Sequence, residues 1–305
     1  MHPYLGSGPY CYANSLAMQL GAAAPSPSTI EVLTGSPFGF QLLGGGLPLF
    51  DPYGWDPDQG LDNAIELLGW TCHREGADDG DTALARLREA VQDGPVLVGP
   101  VEIGWLRHQP GMTGPIESDH FVSVLAVHGD LVEFHDPQGH PYATLPVGDF
   151  LTAWRADTIG YRTRAYTMRS GFRQVREVSA ETALRASLPA AAAWLRGRDD
   201  LPVPPGTVGG AAGVEGFADL AEAGLPPHLR AHLMYFAVRV GARRLVDAAT
   251  ALAGLGLPAA AAVATRQARL VGSLQYDVVA ERDKAVAQTL RELAPTYAEL
   301  AAALG

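Results

Sequence analysis

The 305-residue chain carries two cysteines, Cys11 and Cys72, and Cys11 stands where a thiol can react. The run CYANSLAMQL over residues 11–20 sets Leu16 and Leu20 among small residues, a pattern for a buried helix that starts at Cys11. At a helix start the unpaired backbone N–H groups and the helix dipole favour an anion, which suits a nucleophilic thiolate. The same N–H groups can receive the oxyanion that forms when a thioester or amide carbonyl is attacked. The competing reading of Cys11 is a structural, buried cysteine. Cys72, between Thr71 and His73 in strand-like sequence, reads as core.

The groups that could serve such a thiol lie in DHFVSVLAVHGDLVEFHDP, residues 119–137. A hairpin of residues 120–127 and 131–136 turning around Gly129 sets Asp136 opposite Val122, so Asp136 and His120 leave one face as diagonal neighbours. Asp136 would then orient His120, fix its tautomer and stabilise its protonated form, while His120 takes the proton of Cys11. A register slip of a single residue removes this pairing. On the competing reading Asp136-Pro137 is an ordinary strand-ending turn and His120 a satisfied core histidine. Asp119, His120, His135, Asp136 and His140 are the candidates for a metal site. However, His135 and Asp136 point to opposite faces of a strand, so no metal is expected. His73, His108 and His128 read as surface or loop residues.

The elements that must position these residues suggest an α+β chain in two regions, strand-like and turn-rich to about residue 176 and Ala/Leu-rich helical after about 179. The first region is expected to hold helices at 11–20, 61–68, 81–91 and 147–155, with Asp81-Thr82 as caps of the third. Its antiparallel strands are expected near 96–98, 121–127, 131–134 and 161–168. Residues 21–60, rich in Gly and Pro, read as a long irregular excursion, and 202–213 as a linker or mobile loop. The second region reads as helices at 179–196, 215–223, 227–254, 258–275 and 277–303, with Trp194, Met234, Tyr235, Phe236 and Tyr276 in its core. Phe38, Phe40, Phe50, Tyr53 and Trp55 would either roof an acyl pocket or pin their own loop. The Gly44–Gly46 run lacks the Lys-Ser/Thr of a phosphate loop.

Composition narrows the classes. Hydrophobic residues at 47% and charged residues at 18% exclude a disordered chain, and no apolar run has the length of a membrane span. The balance of 22 basic against 33 acidic residues, net −11, opposes binding to nucleic acid or anionic lipid. Two cysteines make no disulfide framework and no secretion signal opens the chain, so a cytoplasmic protein with free thiols is expected.

The order of a Cys at the first helix start, a His-Phe-Val strand and an Asp-Pro ending the next strand resembles papain-like cysteine enzymes, including the peptidases that process double-glycine leaders. PYCYANSLAMQL, GPVLVGPVEIGWL, DHFVSVLAV and FHDPQG, followed by a helical second half, resemble more closely the butirosin biosynthesis protein H family. The second half matches by helical character more than by motif. This resemblance implies a papain-like catalytic domain over 1–176 and a helical domain over 177–305. It implies an acyltransferase of natural-product assembly that takes an acyl group from a carrier-protein or CoA-like thioester onto cysteine and hands it to an amine or another nucleophile. Cys11 would be the nucleophile, His120 the base and Asp136 its orienter, with no cofactor beyond a carrier's phosphopantetheine. Papain-like enzymes place a Gln shortly before the cysteine to complete the oxyanion hole. Here Tyr4, Leu5 and Gly6 stand in that stretch, so Asn14 or Tyr4 is expected to assist the Cys11 N–H.

Carrier proteins are usually acidic, and Arg155, Arg162, Arg164, Arg169, Arg173 and Arg176 fall in a stretch whose only acid is Asp157. Arg162, Arg164, Arg169 and Arg173 are the candidate docking residues, against the alternative of a solvated strand face. Two further readings stay open: a hydrolase, peptidase or thioesterase, using the same residues, and an inactive papain-like binding or scaffold protein. The helical region leaves room for a homo-oligomer.

Overall fold

The computed structural model describes residues 9–198 and 200–305. In chain order the elements are α1 (Cys11–Leu20), α2 (Pro27–Leu33), β1 (Gln41–Leu43), β2 (Leu47–Leu49), α3 (Pro57–Leu67), β3 (Trp70–Glu75), α4 (Gly80–Ala90) and β4 (Val96–Glu102). There follow β5 (Asp119–His128), β6 (Leu131–Asp136), β7 (His140–Pro146), α5 (Val147–Arg155), β8 (Met168–Gln174), α6 (Ala180–Arg196), β9 (Val208–Gly209) and α7 (Gly210–Ala223). The chain closes with α8 (Pro227–His232), α9 (Val238–Gly254), α10 (Pro258–Val279), α11 (Asp283–Leu293) and α12 (Pro295–Leu304). This is the expected α+β arrangement, antiparallel sheet with helices first and a helical region after it.

Packing divides the chain into two units, residues 1–27 with 68–177, and residues 28–67 with 178–305. The expected boundaries of 1–176 and 177–305 are therefore corrected at 28–67. That segment is no irregular excursion, since it forms α2, β1, β2 and α3. Its aromatics explain where it packs: Phe40 stacks on Phe217 at 6.2 Å and meets Phe50 at 5.4 Å, all within the core of the helical unit. Phe40 and Phe50 thus pin their own segment to that core.

The first unit is a six-stranded antiparallel sheet in the order β3-β8-β4-β5-β6-β7. Strand alternation sends Val122, Val124 and Phe134 into a core with Leu87, Phe150 and Trp154 from α4 and α5. The opposite face of β5 receives α1: Ser15 Oγ donates to the Phe121 carbonyl at 3.1 Å, Gln19 Nε2 donates to Ser123 Oγ at 2.7 Å, and the Tyr12 ring stands edge-on to Phe121. From Cys11 to Gln19 a helix advances about 12 Å, and from His120 to Ser123 a strand advances about 10 Å. The two elements therefore run side by side, with Cys11 level with His120. Helix α4 starts earlier than expected, and its cap is Asp79, which accepts from the Thr82 N–H at 2.8 Å, in place of Asp81-Thr82. The strand expected at 161–168 begins only at Met168. Before it, Ala165 accepts from the Ala77 amide and Tyr166 adopts a φ of 52°, which breaks extended pairing until the chain enters between β3 and β4.

The second unit joins a small sheet, β2-β1-β9, to helices α2, α3 and α6–α12. Residues 208–209, inside the expected linker, pair with β1. The expected helix at 277–303 is broken twice: Glu281 at φ 54° turns the chain between α10, which runs on to Val279, and α11, and Pro295 opens α12 after α11. Arg244, 3% exposed, donates to Glu31 Oε1 at 2.8 Å and to Asp51 Oδ2 and the Phe50 carbonyl at 3.1 Å. Tyr235 and Tyr276, expected in the core, are 72% and 69% exposed.

Candidate active site

Cys11 is the first residue of α1, its thiol free and half-buried. At the N-cap position Tyr10 gives the helix no side-chain cap of its own. His120, 1% exposed, lies near enough to the Cys11 thiol for the sulfur to help hold its proton. Its ring nitrogen Nε2 lies 2.8 Å from Oδ1 of the fully buried Asp136. That leaves Nδ1 for the sulfur.

The alignment of His120 with Asp136 depends on the ladder. His128 pairs with Leu131 across a two-residue turn of Gly129 and Asp130. Continuing that register would set Asp136 opposite Ser123, on the wrong face. A bulge between Val124 and Ala126 shifts the pairing, so Ser123 meets His135 and Asp136 comes level with Val122.

The charges reinforce one another. Burial alone would drive the proton off His120, but the Asp136 charge, its hydrogen bond and the Cys11 sulfur push the imidazole up to about 10. Burial likewise opposes ionisation of Asp136, and is outweighed by the His120 charge, by hydrogen bonds from His108 and His120, and by the Gln138 amide. Its carboxyl is held well below the usual carboxylate range. Below about pH 10 the centre thus contains an imidazolium between a carboxylate and a sulfur.

His108 and Gln109 were invisible as site residues. His108, expected at the surface, puts Nε2 2.8 Å from Asp136 Oδ2, and Gln109 Nε2 donates to the same oxygen at 2.6 Å. Their only sequence signal is a His-Gln pair in a Gly/Pro-rich loop.

Asn14 is 4% exposed, and its Nδ2 has no hydrogen-bond partner among the described residues. Tyr4, the other expected oxyanion donor, lies outside the described residues. Among the described residues no group of three or more His, Cys, Asp or Glu side chains is arranged to hold a metal ion. Cys72 sits on edge strand β3, separated from β5 by β8 and β4.

The docking candidates do not form one basic face. Arg169 is fully buried in β8 between β3 and β4. Arg162 is bound to the Arg155 carbonyl and, at 3.1 Å, to Asp157, and Arg164 lies 3.5 Å from Asp78. Arg173 remains exposed on β8. The sequence cluster is dispersed because alternation and acids from other segments intervene.

Residues 204–305 match the family described as YobF C-terminal domain. The Bacillus subtilis (strain 168) protein described as uncharacterized protein YobF is 33% identical over 162 residues, 52% of this chain and 52% of that protein. The chain thus spans about half the length of the curated relative it matches. The matched domain begins after α6 and contains none of Cys11, His120 and Asp136. No described helix is long and apolar enough to cross a membrane.

Proposed function

We propose that this protein is a cysteine acyltransferase that carries an acyl group on Cys11 between a thioester donor and an amine or similar nucleophile. The observation that carries this reading is the 2.8 Å bond from His120 to a buried Asp136, with the Cys11 thiol close enough to His120 to shift its titration. An imidazolium beside a thiol favours the thiolate. That sulfur attacks the donor's carbonyl carbon, and the oxyanion is received by backbone N–H groups at the start of α1, with Asn14 Nδ2, which has no partner among the described residues, as a further donor. Collapse breaks the donor's C–S bond, the departing sulfur takes the proton on His120 Nδ1, and an acyl-Cys11 thioester remains. His120, now neutral, accepts the proton of the incoming amine as its nitrogen attacks. Cys11 leaves as thiolate and the ion pair is restored.

The resemblance to the butirosin biosynthesis protein H family supports transfer from a carrier-protein thioester, and the free thiol suits a reducing, cytoplasmic setting. Intact mass spectrometry of the full chain after exposure to acyl-CoA or acyl-carrier thioesters tests this. A mass increase of one acyl group, absent in Cys11→Ala and discharged by an added amine, is expected. Thioester loss that ignores added amine would assign a hydrolase, and neither adduct nor thioester loss would leave a binding protein.

A further inference from the structure

A loop of residues 103–118 leaves β4 and returns at β5, and both of its ends are fastened to one carboxylate. Glu102, 1% exposed, accepts from the Gly104 and Ile116 amides through Oε1 and from the Glu117 amide through Oε2, each at 3.1 Å, and Thr158 Oγ1 also donates to Oε2. The Gly114 amide donates to the Gly104 carbonyl at 3.0 Å, and a Cβ on Gly104 would fall 2.0 Å from the Gly114 oxygen. The loop is thus closed at its base. Its far part delivers two adjacent side chains, His108 and Gln109, to the same atom, Oδ2 of Asp136.

We propose that His108 and Gln109 are positioning residues, the pair of donors that hold Oδ2 of Asp136 so that Oδ1 stays on His120. The role rests on reading Cys11, His120 and Asp136 as the reactive centre. Asp136 is ionised, so His108 must present Nε2–H, which leaves Nδ1 buried and without a hydrogen-bond partner among the described residues. An orphaned ring nitrogen is a cost that packing alone gives no reason to bear, since an apolar side chain would fill the same place against Phe134. A carboxylate held at one oxygen can rotate about its Cα–Cβ and Cβ–Cγ bonds. With Oδ2 clamped by two donors and Oδ1 receiving the Gln138 amide at 2.8 Å, only the orientation that meets His120 remains. Of the other ionisable groups around this line, His140 is the cross-strand partner of Asp136 and shares its face, while Glu102 and Asp119 are held by other donors. Glu102 on β4 closes the loop, Asp119 on β5 accepts from the Tyr161 hydroxyl at 2.7 Å, and His140 on β7 stands edge-on to the His108 ring at 5.2 Å. Cys11 faces the opposite side of the His120 ring.

The decisive measurement is the titration midpoint of His120 by NMR on the full chain, alongside the pH profile of Cys11 alkylation by iodoacetamide and thermal unfolding. In His108→Ala, Asp136 is free to turn from His120. The midpoint is expected to fall by at least about one unit, and the limb of the alkylation profile that follows His120 to move down in pH with it. His108→Gln, which returns a donor near the Nε2 position, is expected to restore both. Gln109→Ala, the milder variant should His108→Ala fail to fold, is expected to shift the midpoint in the same direction by less. A folded His108→Ala or Gln109→Ala with an unchanged midpoint, or a Gln variant indistinguishable from Ala, would overturn the proposal. If the midpoint falls as expected while Cys11 accepts no acyl group from any thioester, the clamp stands and acyl transfer fails.

Discussion

His120 and Asp136 form one electrostatic unit, and removing either member changes the other. The Asp136→Asn protein keeps the shape but leaves His120 without a counter-ion. His120 is raised from 6.5 to about 10, so its contribution to stability is complete below about pH 6.5 and is lost as pH rises through about 10. Asp136 is lowered from 3.8, so its contribution is present above that value and is lost only in strong acid. The stability gap between wild type and Asp136→Asn is therefore expected to be widest between pH 3.8 and 6.5, at about 3 kcal/mol, and to close toward pH 10. Urea unfolding at a series of pH values measures it. A gap that stays unchanged from pH 6.5 to 10 would show that His120 is not charged by Asp136. These two residues and Cys11 were legible in the sequence because each has a chemistry few other side chains share. His108 was not, since its role depends on a loop whose path no local pattern specifies.

Among the elements, α1 and the β5–β6 hairpin carry the site, and both were readable: the helix from its small-residue run, the hairpin from alternation around Gly129. The strands β3 and β8 and the segment 28–67 were less so, because half-exposed strands and short elements carry weak periodicity and are decided by their neighbours. Gly99 on β4 shows how tightly the helix, strand and neighbouring strand are fitted. A Cβ there would lie 2.2 Å from the ring of Phe121, the residue that carries the α1 contacts. Gly99→Ala is expected to cost about 1–3 kcal/mol through overpacking and to slow Cys11 alkylation by displacing β5 against α1. Calorimetry and alkylation rates on one preparation would show both effects. Loss of stability with an unchanged alkylation rate would mean that the α1 register does not depend on Phe121.

At the scale of the molecule, the chain order and the packing order differ. Residues 28–67 interrupt the first unit in sequence yet supply Phe40, Phe50, Glu31 and Asp51 to the second. A fragment of 178–305 would leave Arg244 without its two carboxylates and the Phe217 side without Phe40. It is expected to melt without cooperativity by circular dichroism, and a sharp transition would show that the inserted segment is dispensable. By itself the sequence determined the α+β class, the reactive side-chain types, the helix start at Cys11 and the hairpin, because these follow from interactions within one or two turns of chain. The tertiary structure decided the rest. A two-residue turn alone would have sent Asp136 to the wrong face, and only the bulge at Leu125 restored the parity that joins it to His120. A closed loop brought His108, 28 residues away, to the same carboxylate, and buried aromatic rings assigned 28–67 to the helical unit. The last two are contacts between segments far apart in sequence, whose free energy depends on what is buried when they meet, and no local run of residues encodes that.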